Sequence, residues 1–146
     1  MTIDTNKQIT ANNIINEFIL KFRLSDWNIH ITVMSDFDYN KKHGKSFGYD
    51  TNGCTEIDDD KQIAKIYIKE SLDGSQFMST IVHEMVHLVT HRYDQHIRTI
   101  INTYTPTTKR KELLHDSMWE MEILVSKFTT IVNMMISEYE RVTDSE

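Results

Sequence analysis

The chain has 146 residues, of which 16 are Lys or Arg and 22 are Asp or Glu, and its formal net charge is −6. This length suits one domain with one hydrophobic core. We expect a single domain over residues 1–146, with a flexible stretch at residues 1–9. The acidic balance and the lack of a long Lys/Arg block argue against a nucleic-acid partner.

Cys54 is the only cysteine, so an intrachain disulfide is excluded, and this cysteine usage fits a reducing compartment. The first residues lack the basic and then apolar stretch that a secretory signal peptide needs. No apolar run approaches the roughly 20 residues that cross a bilayer as a helix. We therefore expect a cytoplasmic protein with no membrane partner.

The first predicted element is a helix that begins at Thr10. Its apolar residues recur at helical spacing, Thr10 or Asn12 is a candidate cap, and the pattern ends near residues 24–26. Residues 27–34 then alternate between apolar and polar, as in a half-buried strand. His30 falls on the polar face of this strand, so we interpret it as a solvated residue rather than a metal ligand.

Three segments follow before the next regular strand. Residues 35–45 are polar and are predicted to be a loop, and residues 46–57 are predicted to form an irregular strand. The acidic triplet at residues 58–60 lacks the ligand spacing and the Gly of a calcium-binding loop. We interpret this triplet as a solvated turn.

Residues 62–69 are predicted to form a strand at the edge of the sheet, because lysines on such a strand discourage pairing with other chains. An extended peptide substrate could add to this edge through main-chain hydrogen bonds. The apolar face of the strand consists of Ala64, Ile66 and Ile68, and its exposed polar face consists of Lys65, Tyr67 and Lys69.

A short motif, His83-Glu84-Met85-Val86-His87, lies in the next predicted helix, which begins after a turn at residues 73–75 and runs to about Tyr93. Positions four apart lie on one face of a helix, so His83 and His87 can share a metal ion such as Zn²⁺. Glu84 projects from a neighbouring angle, where its carboxylate can act as a general base on a water held at the metal.

The remainder of the chain is predicted to be a polar connection and one long helix. The connection covers residues 91–107 and contains a short helical stretch, and the long helix covers residues 108–142 after Pro106. The buried stripe of this helix is predicted to consist of Leu114, Met121, Leu124, Val125, Phe128, Ile131, Val132 and Met135.

A catalytic zinc site needs a third protein ligand, and two regions of the chain offer one. A third His six residues after His87 is absent, because that position is Tyr93. His91 lies one helical turn beyond His87, about 6 Å along the axis, which favours a role beside the metal or with substrate. His96 is an alternative ligand only if the helix breaks early.

The long helix offers the other candidates, Glu120 and Glu122. At about 100° per residue, Glu122 and His115 lie about 20° apart, on one edge of the apolar stripe with Ser126 nearby. Glu120 lies on the opposite edge. We favour Glu122 as the third metal ligand, since its edge collects polar groups that can line a site.

The motif His83-Glu84-Met85-Val86-His87, with Glu122 following 35 residues after His87, resembles that of the gluzincin metallopeptidases. The similarity spans roughly residues 10–135 and is greatest to the minigluzincins and to short zincin-like proteins of phages and bacteria. It implies an α+β, zincin-like fold. Such a fold has an N-terminal helix, a small three-stranded, mostly antiparallel sheet, the motif helix and a long C-terminal helix that supplies a Glu ligand.

The resemblance also implies an activity and its residues. His83, His87 and Glu122 would bind zinc, Glu84 would be the general base, and the strand before the motif helix would hold a peptide substrate. The family often has a further His or Tyr that stabilises the oxyanion, and His115 is our candidate, with His91 and Tyr93 as alternatives.

Two other functions remain open. One is a non-catalytic or regulatory zincin-fold binding module, in which a fourth protein ligand closes the metal site. The other is a SprT-like protease acting on DNA-bound proteins, against which the acidic balance and the lack of a basic or Cys-rich tail count.

Overall fold

Four helices and three strands make up the part of the chain that the computed structural model describes, which is residues 5–43 and 51–143, with side chains up to residue 137. The fold is α+β, as predicted. In chain order the elements are α1 (Thr5–Lys21), β1 (Asn28–Met34), α2 (Asp36–His43), β2 (Gly53–Asp58), β3 (Ile63–Lys69), α3 (Gly74–Tyr104) and α4 (Thr107–Thr143).

The chain divides into two compact units, one ending at Leu88 and the other beginning at Val89. The first unit contains α1, α2, the three strands and the first half of α3. The second contains the rest of α3 and α4. The boundary falls inside α3, which is continuous from Gly74 to Tyr104.

The three strands of the first unit form a mixed sheet in the order β1-β3-β2. β1 is parallel to β3, with Ile31 opposite Ile66, and β2 is antiparallel to β3, with Thr55 also opposite Ile66. The prediction of a mostly antiparallel sheet is wrong, because one of the two pairings is parallel. Between β1 and β3 the chain passes through α2 and β2. This connection is long enough for β3 to lie beside β1 and run in the same direction.

The prediction that residues 62–69 form an edge strand is also wrong, because β3 lies in the centre of the sheet and pairs on both sides. Its expected outer face is largely covered: Tyr67 is 9% exposed and Lys69 is 4% exposed. Helix α2 supplies the cover. The ring of His43 lies 4.5 Å from that of Tyr67, and Lys69 Nζ lies 5.3 Å from the ring centroid of Tyr39.

Helix α2 replaces most of the loop predicted over residues 35–45; Gly44 and Lys45 lie outside the described residues. Residues at the N-terminus of α2 explain why the helix begins there. Ser35 Oγ accepts a hydrogen bond from the Asp38 amide at 3.2 Å and donates one to the Asp38 carboxylate at 2.7 Å, an arrangement close to a capping box. Acidic residues in the first turn and basic residues in the last also suit the helix dipole.

Helix α1 begins at Thr5, so residues 5–9 of the stretch expected to be flexible are helical, and residues 1–4 lie outside the described residues. Thr10 and Asn12, the expected caps, lie inside the helix. Tertiary contacts hold this first turn. Lys7 Nζ donates hydrogen bonds to the carbonyls of Glu70 and Leu72.

Gln8 on the same helix binds the outer edge of β1. Its Nε2 donates to the Ile31 carbonyl at 2.9 Å, and its Oε1 accepts from the Val33 amide at 2.9 Å. One side-chain amide thus satisfies two main-chain groups that would otherwise face outward from the sheet. β1 and β2 are the two edge strands of the described sheet, and Gln8 binds the outer side of β1.

The remaining strand predictions agree better with the structure. β1 covers Asn28–Met34, and His30 is exposed on its polar face, as predicted. β2 is shorter than the irregular strand expected over residues 46–57, of which residues 46–50 lie outside the description. A turn joins β2 to β3 and ends at Gln62, which has a positive φ of 52°.

The helix predictions for the second unit are partly wrong. α3 continues to Tyr104 instead of ending near Tyr93, because no Gly or Pro interrupts it, while α4 closely matches the expected long helix. The buried positions of α4 include Met121, Val125 and Thr129, each four residues apart. The face buried is therefore rotated from the one predicted, and four of the expected core residues are more than 40% exposed: Leu124, Phe128, Ile131 and Met135.

Among the described residues, no helix has the length and apolar character needed to cross a membrane.

Replacing Gln8 with Ala tests the contact between α1 and the edge of β1. We expect the free energy of unfolding to fall by about 1–3 kcal/mol, because two hydrogen bonds to main-chain groups are lost. Urea denaturation measures the change, and Asn13→Ala, an exposed position on the same helix, is the control. Equal stabilities of the two variants would contradict this role of Gln8.

Candidate metal centre

Helix α3 places the motif residues by packing its apolar side chains into the first unit. Ile81, Val82 and Met85, which flank or separate the motif residues, are fully buried. The helix is capped at its start, where Asp73 Oδ1 accepts a hydrogen bond from the Gln76 amide at 3.2 Å, as expected for the predicted turn at residues 73–75. The motif therefore occupies the third and fourth turns of a well-anchored helix, where its side chains have little freedom.

The two histidines of the motif lie side by side. His83 Nε2 and His87 Nε2 are 3.2 Å apart, and the two half-buried rings are inclined at 77° with centroids 4.8 Å apart. Two nitrogen ligands of a tetrahedral Zn²⁺, each bonded at about 2.0–2.1 Å, lie about 3.3–3.4 Å from each other. The observed separation therefore fits a shared metal ion.

Glu122 completes a group of three potential ligands. His83, His87 and Glu122 each offer one ligand atom, and these atoms all lie within 4.8 Å of one another. Glu122 is half-buried on α4, whereas Glu120, the alternative ligand, is exposed and is not part of the group. Two imidazoles and one carboxylate can bind a metal ion, as the sequence predicts.

The motif carboxylate is the most buried of the motif's polar side chains. Glu84 is 6% exposed, and its Oε2 accepts a hydrogen bond of 2.6 Å from the hydroxyl of Thr55 on β2. The same hydroxyl lies 3.3 Å from the Glu84 carbonyl oxygen. A buried carboxylate loses its hydration and needs such donors, so the position of Glu84 depends on β2 as well as on its own helix.

The main chain of β2 approaches α3 closely at Gly53. A Cβ atom at this position would lie 2.8 Å from Thr80 Cγ2 and 2.9 Å from Glu84 Oε1, closer than side chains normally allow. Only glycine fits this approach without a shift of its neighbours.

Sequence analysis missed both β2 residues that touch Glu84. A glycine inside a strand is a known signal of close backbone approach, so Gly53 could have been recognised. Thr55 offers no comparable signal, because a threonine in a strand is common. Its role depends on which helix faces it.

The other residues considered for catalysis lie on α3 or α4. His115 is exposed on α4, where its Nε2 accepts a hydrogen bond from Trp119 Nε1 at 3.3 Å. His91 is half-buried on α3, and Tyr93 is exposed. His96 was an alternative ligand only if the helix broke early, and α3 is unbroken at that point.

The face of β2 opposite Thr55 carries a second set of ionisable groups. Burial, helped by the carboxylates of Glu84 and Glu56, raises the pKa of the Cys54 thiol to about 11. Burial also lowers the pKa of His43, and the Glu56 carboxylate opposes this shift in part. Cys54 is therefore a neutral thiol near neutral pH, unsuited to act as a nucleophile.

Comparison of the chain with protein-family models, with curated proteins and with solved structures finds no match. The resemblance to the gluzincin metallopeptidases therefore rests on the motif residues and on the third potential ligand. Membership of that family stays a prediction.

The raised pKa of Cys54 predicts slow alkylation of the native protein. Compared with an ordinary value of 9.0, a pKa of about 11 lowers the thiolate fraction about a hundredfold near pH 8. Iodoacetamide labelling followed by mass spectrometry should show at least this difference between native protein and protein unfolded in guanidinium. Similar rates in the two states would contradict the burial of this thiol.

Proposed function

We propose that this protein is a zinc-dependent peptidase. The observation that carries the proposal is the combination of a metal-binding group, His83, His87 and Glu122, with a buried carboxylate, Glu84, on the same helical turn as the two histidines. A purely structural metal site has no need of a carboxylate in this place. A hydrolytic site does, because a water must lose a proton as it attacks.

The donor set fits zinc. Neutral imidazole and carboxylate are both common zinc ligands, and three protein ligands leave a fourth position for water or substrate. A zinc ion bound there would supply Lewis-acid chemistry, polarising the substrate carbonyl and lowering the pKa of a bound water to about 7. His83, His87 and Glu122 would hold the ion.

Glu84 would act as the proton carrier. It would accept a proton from the attacking water while the Thr55 hydroxyl binds its Oε2. The same carboxylate would then deliver that proton to the nitrogen of the leaving amine.

We propose β2 as the peptide-binding edge, because β3 lies in the centre of the sheet. The Lys69 amide donates to the Asn52 carbonyl at 3.1 Å, so Asn52 and Lys69 form a hydrogen-bonded pair. Such pairs alternate along an antiparallel ladder, so the main-chain groups of Gly53, Thr55 and Ile57 point away from β3. An extended peptide could pair with these groups beside the helix that carries Glu84.

Metal content tests the ligand set. We expect one zinc ion per chain in the native protein and a large loss of zinc in His83→Ala, His87→Ala and Glu122→Ala, because each removes one of three ligands. Elemental analysis after dialysis measures it, with Glu120→Ala as the matched control that keeps its zinc. Zinc loss in Glu120→Ala but not in Glu122→Ala would transfer the ligand role to Glu120.

Replacing Glu84 with Gln tests the peptidase mechanism. The variant should keep its zinc and its melting temperature, while hydrolysis of a fluorogenic peptide library falls about 10²–10⁴-fold through loss of the base. Unchanged turnover would rule out Glu84 as the base. A native protein that binds zinc but cleaves no peptide would instead indicate a binding module.

The β2 edge is tested by Ile57→Pro, which removes one outward amide and leaves the ladder with β3 intact. We expect KM to rise about fivefold, equivalent to one lost hydrogen bond, with unchanged zinc content. Ile57→Ala controls for the lost side chain, and Glu56→Pro, which removes an inward amide, should lower the melting temperature. An unchanged KM in Ile57→Pro would exclude this edge as the peptide site.

A further inference from the structure

The hydroxyl of Thr55 on β2 binds the motif carboxylate directly. The oxygen-to-oxygen distance of 2.6 Å lies in the range of a hydrogen bond to an ionised acceptor, which is about twice as strong as a neutral one. Glu84 has several rotatable bonds, and its helix alone does not fix the direction of the carboxylate. A strong bond to a neighbouring strand does.

Gly53 and Thr55 act on the two oxygens of the same carboxylate. They are two residues apart on β2, so they lie on the same face of the strand. Thr55 binds Oε2, and the missing side chain of Gly53 leaves the space that Oε1 occupies, since a Cβ there would lie 2.9 Å from that oxygen. Thr55 thereby holds one oxygen of the carboxylate, and Gly53 leaves space for the other.

The main chain of Thr55 also belongs to the edge at which a peptide would pair, because its amide and carbonyl point away from β3. A peptide substrate paired with this edge would thus be positioned by Thr55, the same residue that orients Glu84. Reacting groups must be held within fractions of an ångström for efficient catalysis, and a shared support is a direct way to achieve this.

We propose that Thr55 is a positioning residue that fixes the carboxylate of Glu84 for proton transfer, with Gly53 leaving the space that Oε1 occupies. The inference rests on the proposed peptidase function. Thr55 would act through Glu84 rather than directly on the metal or the substrate. Its effect is carried entirely by the orientation of Glu84.

Three variants test this role. Thr55→Val removes the hydroxyl and keeps the shape, Thr55→Ser keeps the hydroxyl, and Thr32→Val makes the same change on the exposed face of β1, away from the site. For Thr55→Val we expect kcat on a cleaved peptide to fall about ten- to a hundredfold, as is typical when a supporting partner is lost. KM, zinc content and melting temperature should stay within about twofold or a few degrees of the native values.

Thr55→Ser should restore most of kcat, and Thr32→Val should not change it. A loss of zinc or of melting temperature that matches the loss of kcat in Thr55→Val would overturn the proposal in favour of a merely structural role. So would an unchanged kcat.

A second measurement does not depend on hydrolysis. Crystal structures of the zinc-loaded native protein and of Thr55→Val should show Glu84 in one conformer in the first and displaced or divided between conformers in the second. If no variant cleaves any peptide, the peptidase function fails, and this comparison still decides whether Thr55 positions the carboxylate. An unmoved Glu84 in Thr55→Val would overturn the proposal whatever the activity.

Discussion

Burial of the Glu84 carboxylate is the constraint on which the arrangement of the first unit depends. A carboxylate with 6% of its surface exposed must replace lost hydration with hydrogen bonds, and Thr55 on β2 donates one of them. β2 must therefore lie directly beside α3, and Gly53 allows its main chain to come that close. β2 also pairs with β3, which lies in the centre of the sheet with β1 on its other side.

The two faces of the sheet carry different kinds of side chain. On one face, Ile31 and Ile66 lie opposite each other and join the buried core on the side of Thr55. On the other face, Tyr67 and Lys69 carry polar ends on long apolar stems, and α2 covers the stems. The ammonium of Lys42 lies 4.0 Å from the ring centroid of Tyr67, a cation–π contact at the rim of this cover.

The two edges of the sheet also differ, because a side chain binds the main-chain groups of one of them. Gln8 binds the outer main-chain groups of Ile31 and Val33 and thereby protects the edge at β1 from pairing with other chains. The main-chain groups of Gly53, Thr55 and Ile57 point outward on the other side. This asymmetry supports the proposal that an extended peptide pairs with β2 rather than with β1.

The sequence alone determined the features that depend on local spacing. His83 and His87 lie 3.2 Å apart through Nε2 because a helix places residues four apart on one face, whatever surrounds it. The choice of Glu122 over Glu120 followed from helical phase, and the ligand atoms of His83, His87 and Glu122 do lie within 4.8 Å of one another. The class of the fold and the limits of β1 and α4 also followed from periodicity.

The tertiary structure decided what depends on residues far apart in the chain. Lysines on β3 predicted an edge, but β3 lies between β1 and β2. Alternation within one strand carries no information about the order of strands in the sheet. The first turn of α1 is held by Lys7 and Gln8 through partners more than 20 residues away, so local pattern could not reveal it. Thr55 became part of the site for the same reason: an ordinary strand threonine acquires a role only when packing places a buried carboxylate against its hydroxyl.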